Sequence, residues 1–365
     1  MVAEATKALL ILSSSNQIGF PTGIGGWGLG STQFAPIVEF PSPAVFVLLG
    51  SPGSHWQDGA PRPRNEPSAK AGRKSVPSPA QTDWIDSMAV LVSCHTDCYG
   101  GLGVAGAIEL LPEAGLSFVE LPVRTVAEWE RLRLAPTLTP DTSLHQLDRI
   151  QRLLDRHGLS VSSCDLAGGN PLDPATVALL KRKLDVASHF GVSRVVGPAG
   201  CADDPSRRAT LYRHLIELGD HAAGRGITYC FDVLPGLCQH HRLMVETIEG
   251  LQHPHLRLNF DPGHLHYYNE NIESEVALAR ICQYVDHVHL RDTSGVSQEW
   301  WFPALGSGGA VDFFRIREIL ETVGFRGPYS LVVLSEPEEG LLPAETYQQR
   351  IAESLEHLRQ CGYFD

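Results

Sequence analysis

Two short runs hold most of the chemistry that the sequence offers: Asp261-Pro262-Gly263-His264 and His287-Val288-His289-Leu290-Arg291-Asp292. Each sits where an apolar, strand-like stretch ends, Leu256–Phe260 for the first and Tyr284–Leu290 for the second. A carboxylate at one strand end and an imidazole at the next suit a hard or borderline divalent cation, if parallel strands bring them side by side. The competing explanation is structural. Asp261 and His264 would cap the following helix, and the histidines would merely finish a strand. Either explanation accounts for one run alone, but the two runs in consecutive strand–helix units point to a cation.

The elements that must position these residues are legible as an alternation. Short runs rich in Val, Leu, Ile, Phe or Cys predict strands at Ala89–Ser93, Ser117–Leu121, Ser160–Asp165, Arg194–Gly197, Thr228–Asp232, Leu256–Asp261, His287–Arg291 and Ser330–Leu334. Amphipathic runs between them predict helices at Val104–Pro112, Thr142–His157, Ala175–Phe190, Arg207–Ala223, His241–Leu251, Ser274–Gln283, Phe313–Thr322 and Ala344–Arg359. Eight strands alternating with eight helices give a (β/α)8 TIM barrel over residues 88–365. A doubly wound sheet would carry a GxGxxG turn after its first strand, and Tyr99-Gly100-Gly101-Leu102-Gly103 lacks that spacing.

In such a barrel the chemistry gathers at the C-terminal strand ends. Those ends offer His95 and Asp97, Glu120, Asp165, Asp232, Asp261 with His264, and His287, His289, Arg291 and Asp292; Glu336 follows the eighth strand. Isolated carboxylates in such loops are usually helix caps or satisfied rim groups, which is the better reading for Asp97, Asp165 and Asp292.

Residues 1–87 differ in kind. They are dense in Pro, Gly and Ser, show neither helical nor alternating periodicity, and are expected to be a largely disordered extension. An over-extended start before Met88 is one interpretation and a regulatory or targeting tail the other. This stretch holds six acids and six bases, so the net charge of −13 falls wholly on the remainder. A domain so acidic lacks the basic face that nucleic acid requires. No apolar run approaches the ~18 residues of a membrane span. The eight cysteines show no CxxC pair or disulfide framework, so reduced thiols in the cytoplasm are expected.

The stretch 256–336, with Asp-Pro-Gly-His, His-Val-His-Leu-Arg-Asp, and Pro303-Ala304-Leu305-Gly306-Ser307-Gly308 leading to Val311-Asp312-Phe313, resembles the xylose-isomerase-like barrel superfamily. The resemblance covers residues 88–365. It implies an isomerase or epimerase of a small sugar, sugar phosphate or polyol, working through an enediolate. It also implies one divalent ion (Mn, Mg or Zn) held by residues on strands 5 to 8. Carried over, these are Asp232 where the family has Glu, Asp261, and His289. The fourth position falls on Val332, with Glu336 as the nearby substitute, so the ion is expected to bind weakly. Asp232 and Glu336 are then the expected catalytic carboxylates. His95, Glu120, His264, His287 and Arg291 are expected to contact a carbohydrate substrate, under a lid carrying Trp300 and Trp301 whose rings stack on sugar C–H faces. Val332 leaves two alternatives open: a catalytically silent binding barrel, or a dehydratase or lyase of a keto-polyol, as in the inosose dehydratases. Assembly into a homo-oligomer is left open as well.

Overall fold

The computed structural model describes residues 90–335 and 339–364. The predicted extension 1–87, the domain start at Met88 and the carboxylate of Glu336 lie outside the described residues.

Eight parallel strands close into a barrel in chain order. They are β1 Val92–His95, β2 Phe118–Pro122, β3 Ser160–Asp165, β4 Arg194–Gly197, β5 Thr228–Phe231, β6 Leu256–Phe260, β7 Val285–Leu290 and β8 Tyr329–Leu331. β8 closes the sheet on β1, with Tyr329 opposite Val92 and Leu331 opposite Cys94. The described α-helices are α1 Gly103–Leu110, α2 Val126–Arg131, α3 Leu144–Arg156, α4 Pro174–Ser188, α5 Pro205–Ala223, α6 His241–Leu251, α7 Pro262–Tyr268, α8 Ser274–Ile281, α9 Phe313–Thr322 and α10 Ala344–Gln360. The predicted barrel is therefore present, with α2 and α7 as short additional helices. None of the helices among the described residues is long and apolar enough to cross a membrane.

Local chemistry starts the helices where the sequence suggests. Asp173 caps α4 and Asp204 caps α5, each ahead of a Pro at the first helical position. Ser143 and Gln146 form a reciprocal capping box at α3.

The strands alternate between two environments. Val119, Leu121, Val195, Leu258, Phe260 and Val288 are fully buried in the apolar core, each contributing roughly 1.5–3 kcal/mol by leaving water. The intervening positions are equally buried but polar: Glu120, Ser163, Asn259, His287 and Ser330. Hydrogen bonds of Glu120, Ser163, Asn259 and His287 join strands 2, 3, 6 and 7 across the barrel, so these four side chains converge inside it. Most barrels fill this space with branched aliphatics. Here a polar column leads up to the mouth.

Most strand boundaries fall within two residues of expectation, and those of β1 and β8 shift furthest. Among the described residues, which begin at Val90, β1 starts at Val92, where pairing with β8 begins, and His95 is its last residue. β8 ends at Leu331 rather than Leu334. Val332 still donates its N–H to Leu290 O at 3.0 Å, but Leu334 turns away to donate to Phe302 O at 3.1 Å.

Candidate functional site

Asp232 and Asp261 each stand one residue beyond a strand, β5 and β6, while His289 lies within β7. The barrel brings one donor atom from each within 4.8 Å of the others, a spacing that could hold a metal ion. Asp261 reconciles the two explanations of its motif. Its Oδ1 accepts from the His264 amide at 2.9 Å and caps α7. Its Oδ2 is buried without a hydrogen-bond partner, 3.4 Å from His289 Nδ1. One carboxylate therefore serves as cap and as candidate ligand. Burial alone would push its pKa up; Arg291, His264 and His289 overrule that and hold it well below the usual carboxylate range. The residues thus fit a divalent cation: an ionised, unpartnered oxygen faces a second carboxylate and an imidazole.

The polar column fixes which nitrogen His289 presents. Asn259 Nδ2 donates to Asp232 Oδ1 at 2.8 Å, so its Oδ1 is left to accept from His287 Nδ1 at 2.9 Å. His287 Nε2 then accepts from the Ser163 hydroxyl at 3.0 Å. That makes His287 neutral, in keeping with burial pulling its pKa down to about 4. His289 Nε2 donates to Glu120 Oε2 at 3.0 Å, leaving the Nδ1 lone pair beside Asn259 Nδ2, at 3.0 Å, and Asp261. A carboxylate that orients a ligating histidine through its second nitrogen is a recurrent feature of metal sites. Burial works against charge on both partners, yet His289 holds Glu120 ionised, and Glu120 raises the proton affinity of His289.

Glu120 and His287 are both fully buried beneath His289. With His289 they form a second group of donor atoms within 4.8 Å of one another. His264 and Arg291 do reach the centre. His264 Nδ1 lies 3.6 Å from Asp232 Oδ2 and 3.5 Å from Asp261 Oδ2. Arg291 Nη2 lies 3.5 Å from Asp261 Oδ2, while its guanidinium stacks over Phe302 at 5.1 Å. Gly263 makes room for that arginine, since a Cβ there would meet Arg291 Cδ at 2.6 Å.

The opposite side of the mouth, on strands 1 to 3, is closed by ion pairing. Arg124 donates to both oxygens of Asp97, at 2.9 and 2.6 Å, and approaches Asp165 at 3.6 Å. His95 accepts the Asp97 amide at Nδ1 and lies 3.5 Å from Asp165 through Nε2. Its ring meets that of His289 edge-on, centroids 6.2 Å apart. Burial works against both acids, but Arg124 and His95 keep Asp97 and Asp165 below the usual range. Asp292 is structural, as expected: it accepts the amides of Thr293, Gly306 and Val311 and ties down the loop after β7.

Val332, at the strand-8 position, is buried and apolar. Trp300 packs on Tyr267 and Phe302, and Phe302 in turn on His264; Trp301 is half-buried. Asn259, Ser163 and Arg124 escaped the sequence reading. The first two could have been found from the period of two, because Asn259 shares a strand face with Asp261 and Ser163 shares one with Asp165.

The family model for the xylose isomerase-like TIM barrel matches residues 108–361. Among solved structures, a xylose isomerase domain protein from Planctomyces limnophilus is 21% identical, with a TM-score of 0.60 over 75% of this chain and 97% of its own. D-allulose 3-epimerase from a Methylomonas species is 19% identical, with a TM-score of 0.57 over 75% of this chain and 98% of its own. A xylose isomerase-like TIM barrel protein from Mycobacterium smegmatis, solved in complex with magnesium, is 18% identical, with a TM-score of 0.54 over 73% and 98%. No curated protein matches the chain. The solved structures share the fold at these identities, and the family match spans most of the barrel: the chain belongs to the xylose isomerase-like TIM barrel family.

Proposed function

We propose that this barrel is a metal-dependent isomerase of a small sugar, sugar phosphate or polyol. The observation that carries the reading is the unpartnered, ionised Asp261 Oδ2 between His289 and Asp232. Sugar epimerases among the structural neighbours, including one solved with D-allulose, support the substrate class. When bound, a divalent cation supplies Lewis acidity to a substrate carbonyl. Asp232, Asp261 and His289 would hold it, and Glu120 would keep His289 in the ligating tautomer. Asp232, kept ionised by His264 and His289 against its burial, is the base for the proton on the carbon beside the carbonyl. Val332 offers no second base across the substrate. One-face aldose–ketose isomerisation therefore fits better than two-base epimerisation, and dehydration beside a carbonyl fits equally. This reading assigns substrate contact to His95, Arg291, Trp300 and Trp301. The free cysteines among the described residues accord with a cytoplasmic setting.

Val332 also favours a second reading, a barrel that binds a carbohydrate without turning it over. Purified protein from manganese-supplemented growth is assayed for bound metal and incubated in D2O with D-allulose, D-fructose, hydroxypyruvate and inososes. The isomerase reading expects about one metal per chain, absent from Asp261→Ala and His289→Ala, and deuterium at the carbon beside the carbonyl. Metal with ligand binding but no exchange or dehydration supports the silent barrel; protein without metal refutes the metal centre.

A further inference from the structure

We infer that Glu120, His287 and His289 form a second cation site inside the barrel, one that takes zinc in place of the ion at the mouth and so silences the outer centre. The inference rests on the metal reading above for the outer position alone; the inner site stands on its own residues.

The first support is the placement of donors. One atom from each of Glu120, His287 and His289 lies within 4.8 Å of the other two. Glu120 Oε2 is 3.0 Å from His289 Nε2, and its Oε1 is 3.4 Å from His287 Nε2. Two donors bonded to one ion at about 2.1 Å stand about 3.0–3.4 Å apart. The shorter contact is a hydrogen bond. The longer one is not, and Glu120 Oε1 is buried without a hydrogen-bond partner. A fully buried carboxylate oxygen left in that state is costly, and a cation between the two rings would satisfy it.

The second support is the tautomer of His287. Its Nδ1–H donates to Asn259 Oδ1 at 2.9 Å, which leaves the lone pair on Nε2, the nitrogen that faces Glu120. A carbonyl behind the far nitrogen is the usual backing of a ligating histidine. The Ser163 hydroxyl donates to that lone pair at 3.0 Å, and rotation about one bond turns it away.

The two sites share one imidazole and therefore exclude each other. The outer ion needs the Nδ1 lone pair of His289, with the ring proton on Nε2 towards Glu120. The inner ion needs Nε2. The proton then sits on Nδ1, 3.4 Å from Asp261 Oδ2, which can accept it, at the expense of the contact with Asn259 Nδ2 at 3.0 Å. Donor chemistry separates the ions. Two carboxylates and one imidazole suit manganese or magnesium, whereas two imidazoles and one carboxylate are a set that zinc uses.

The test uses the full chain, stripped with a chelator and loaded with Mn2+ or Zn2+. Electron paramagnetic resonance should show one bound Mn2+ per chain, and one Zn2+ should release it, so that no more than one ion is held. X-ray absorption of the zinc-loaded parent requires no variant and should count two imidazoles in the shell. His287→Gln should lower the count to one and weaken Zn2+ binding by more than ~100-fold, while Mn2+ affinity stays within ~10-fold, the lower edge of outer-shell effects. His264→Gln should leave the count at two. A single imidazole in the parent, a count unmoved by His287→Gln or a count lowered by His264→Gln overturns the inner site and leaves the outer one standing. Two ions held at once overturn their exclusion. A parent that binds Zn2+ through two imidazoles but takes no Mn2+ overturns the outer centre and leaves the inner one; a parent that binds neither ion overturns both.

Discussion

The two sides of the barrel mouth bury carboxylates in opposite ways. On strands 1 to 3, Asp97 has both oxygens on Arg124, and Asp165 accepts the Ala167 amide and faces Arg124 and His95. On strands 5 to 7, Asp261 Oδ2 stands 3.4–3.5 Å from two imidazoles and a guanidinium and bonds to none. Both sides are buried and charged, so burial and charge alone do not mark a site. Hydrogen bonding does: Asp97 has both oxygens bonded to Arg124, whereas the buried Asp261 Oδ2 has no hydrogen-bond partner and is the atom that awaits one.

Substitutions should separate the two sides, and the largest effect is expected on the open one. Asp261→Ala removes a ligand and the cap of α7 together. Metal affinity should fall beyond calorimetric detection, and loss of the cap should cost about 1 kcal/mol in denaturant titrations. Unchanged metal binding would erase the distinction between the sides.

Arg124→Met breaks the closed side instead. It strands Asp97 and Asp165 without their cation, and breaking a buried pair costs about 3 kcal/mol, while metal affinity should hardly move. The pH dependence has a definite sign. Asp97 and Asp165 have folded pKa values below their unfolded ones, so their contribution is present above the ordinary carboxylate range of about 4. It is lost as pH falls through the folded values. The stability gap between parent and Arg124→Met should therefore be full at pH 7 and shrink below about pH 4. A gap that widens in acid would reverse the assignment.

Glu120→Gln is the sharper probe, because the substitution keeps the shape and removes the charge that orients His289. Metal affinity should fall by ~10–100-fold with stoichiometry unchanged. The smallest effect is expected from shortening the chain: protein begun at Met88 should melt within about 2 °C of the full chain and keep its metal affinity. A larger fall would tie residues 1–87 to the barrel.

The barrel was legible because strands buried on both faces announce themselves as short apolar runs between amphipathic ones. Asp261 and His289 were legible because each follows or ends such a run. The errors have physical causes. Val90-Leu91 reads as strand by composition, but pairing with β8 starts the ladder at Val92. The depth of Glu120 and His287, both fully buried, was not legible because a sequence shows which strand a side chain belongs to but not how deep it lies. Asn259 was passed over because asparagine in a strand looks like a defect. Arg124 follows Pro122 outside any periodic run, so nothing in the sequence tied it to Asp97, 27 positions earlier.

The polar column has one further consequence. Its bonds run in one sense: Ser163 gives a proton to His287, His287 to Asn259, and Asn259 to Asp232 and towards His289. Each member accepts below and donates above, so the series has an arrow. Turning the Asn259 amide over would set oxygen against oxygen at Asp232 and hydrogen against hydrogen at His287. The Ser163 hydroxyl, inside the barrel, therefore helps to decide which atom faces outward at its mouth. In nitrogen NMR, Ser163→Ala should leave His287 free to change tautomer, and the disturbance should be read at His289 without either histidine having been touched.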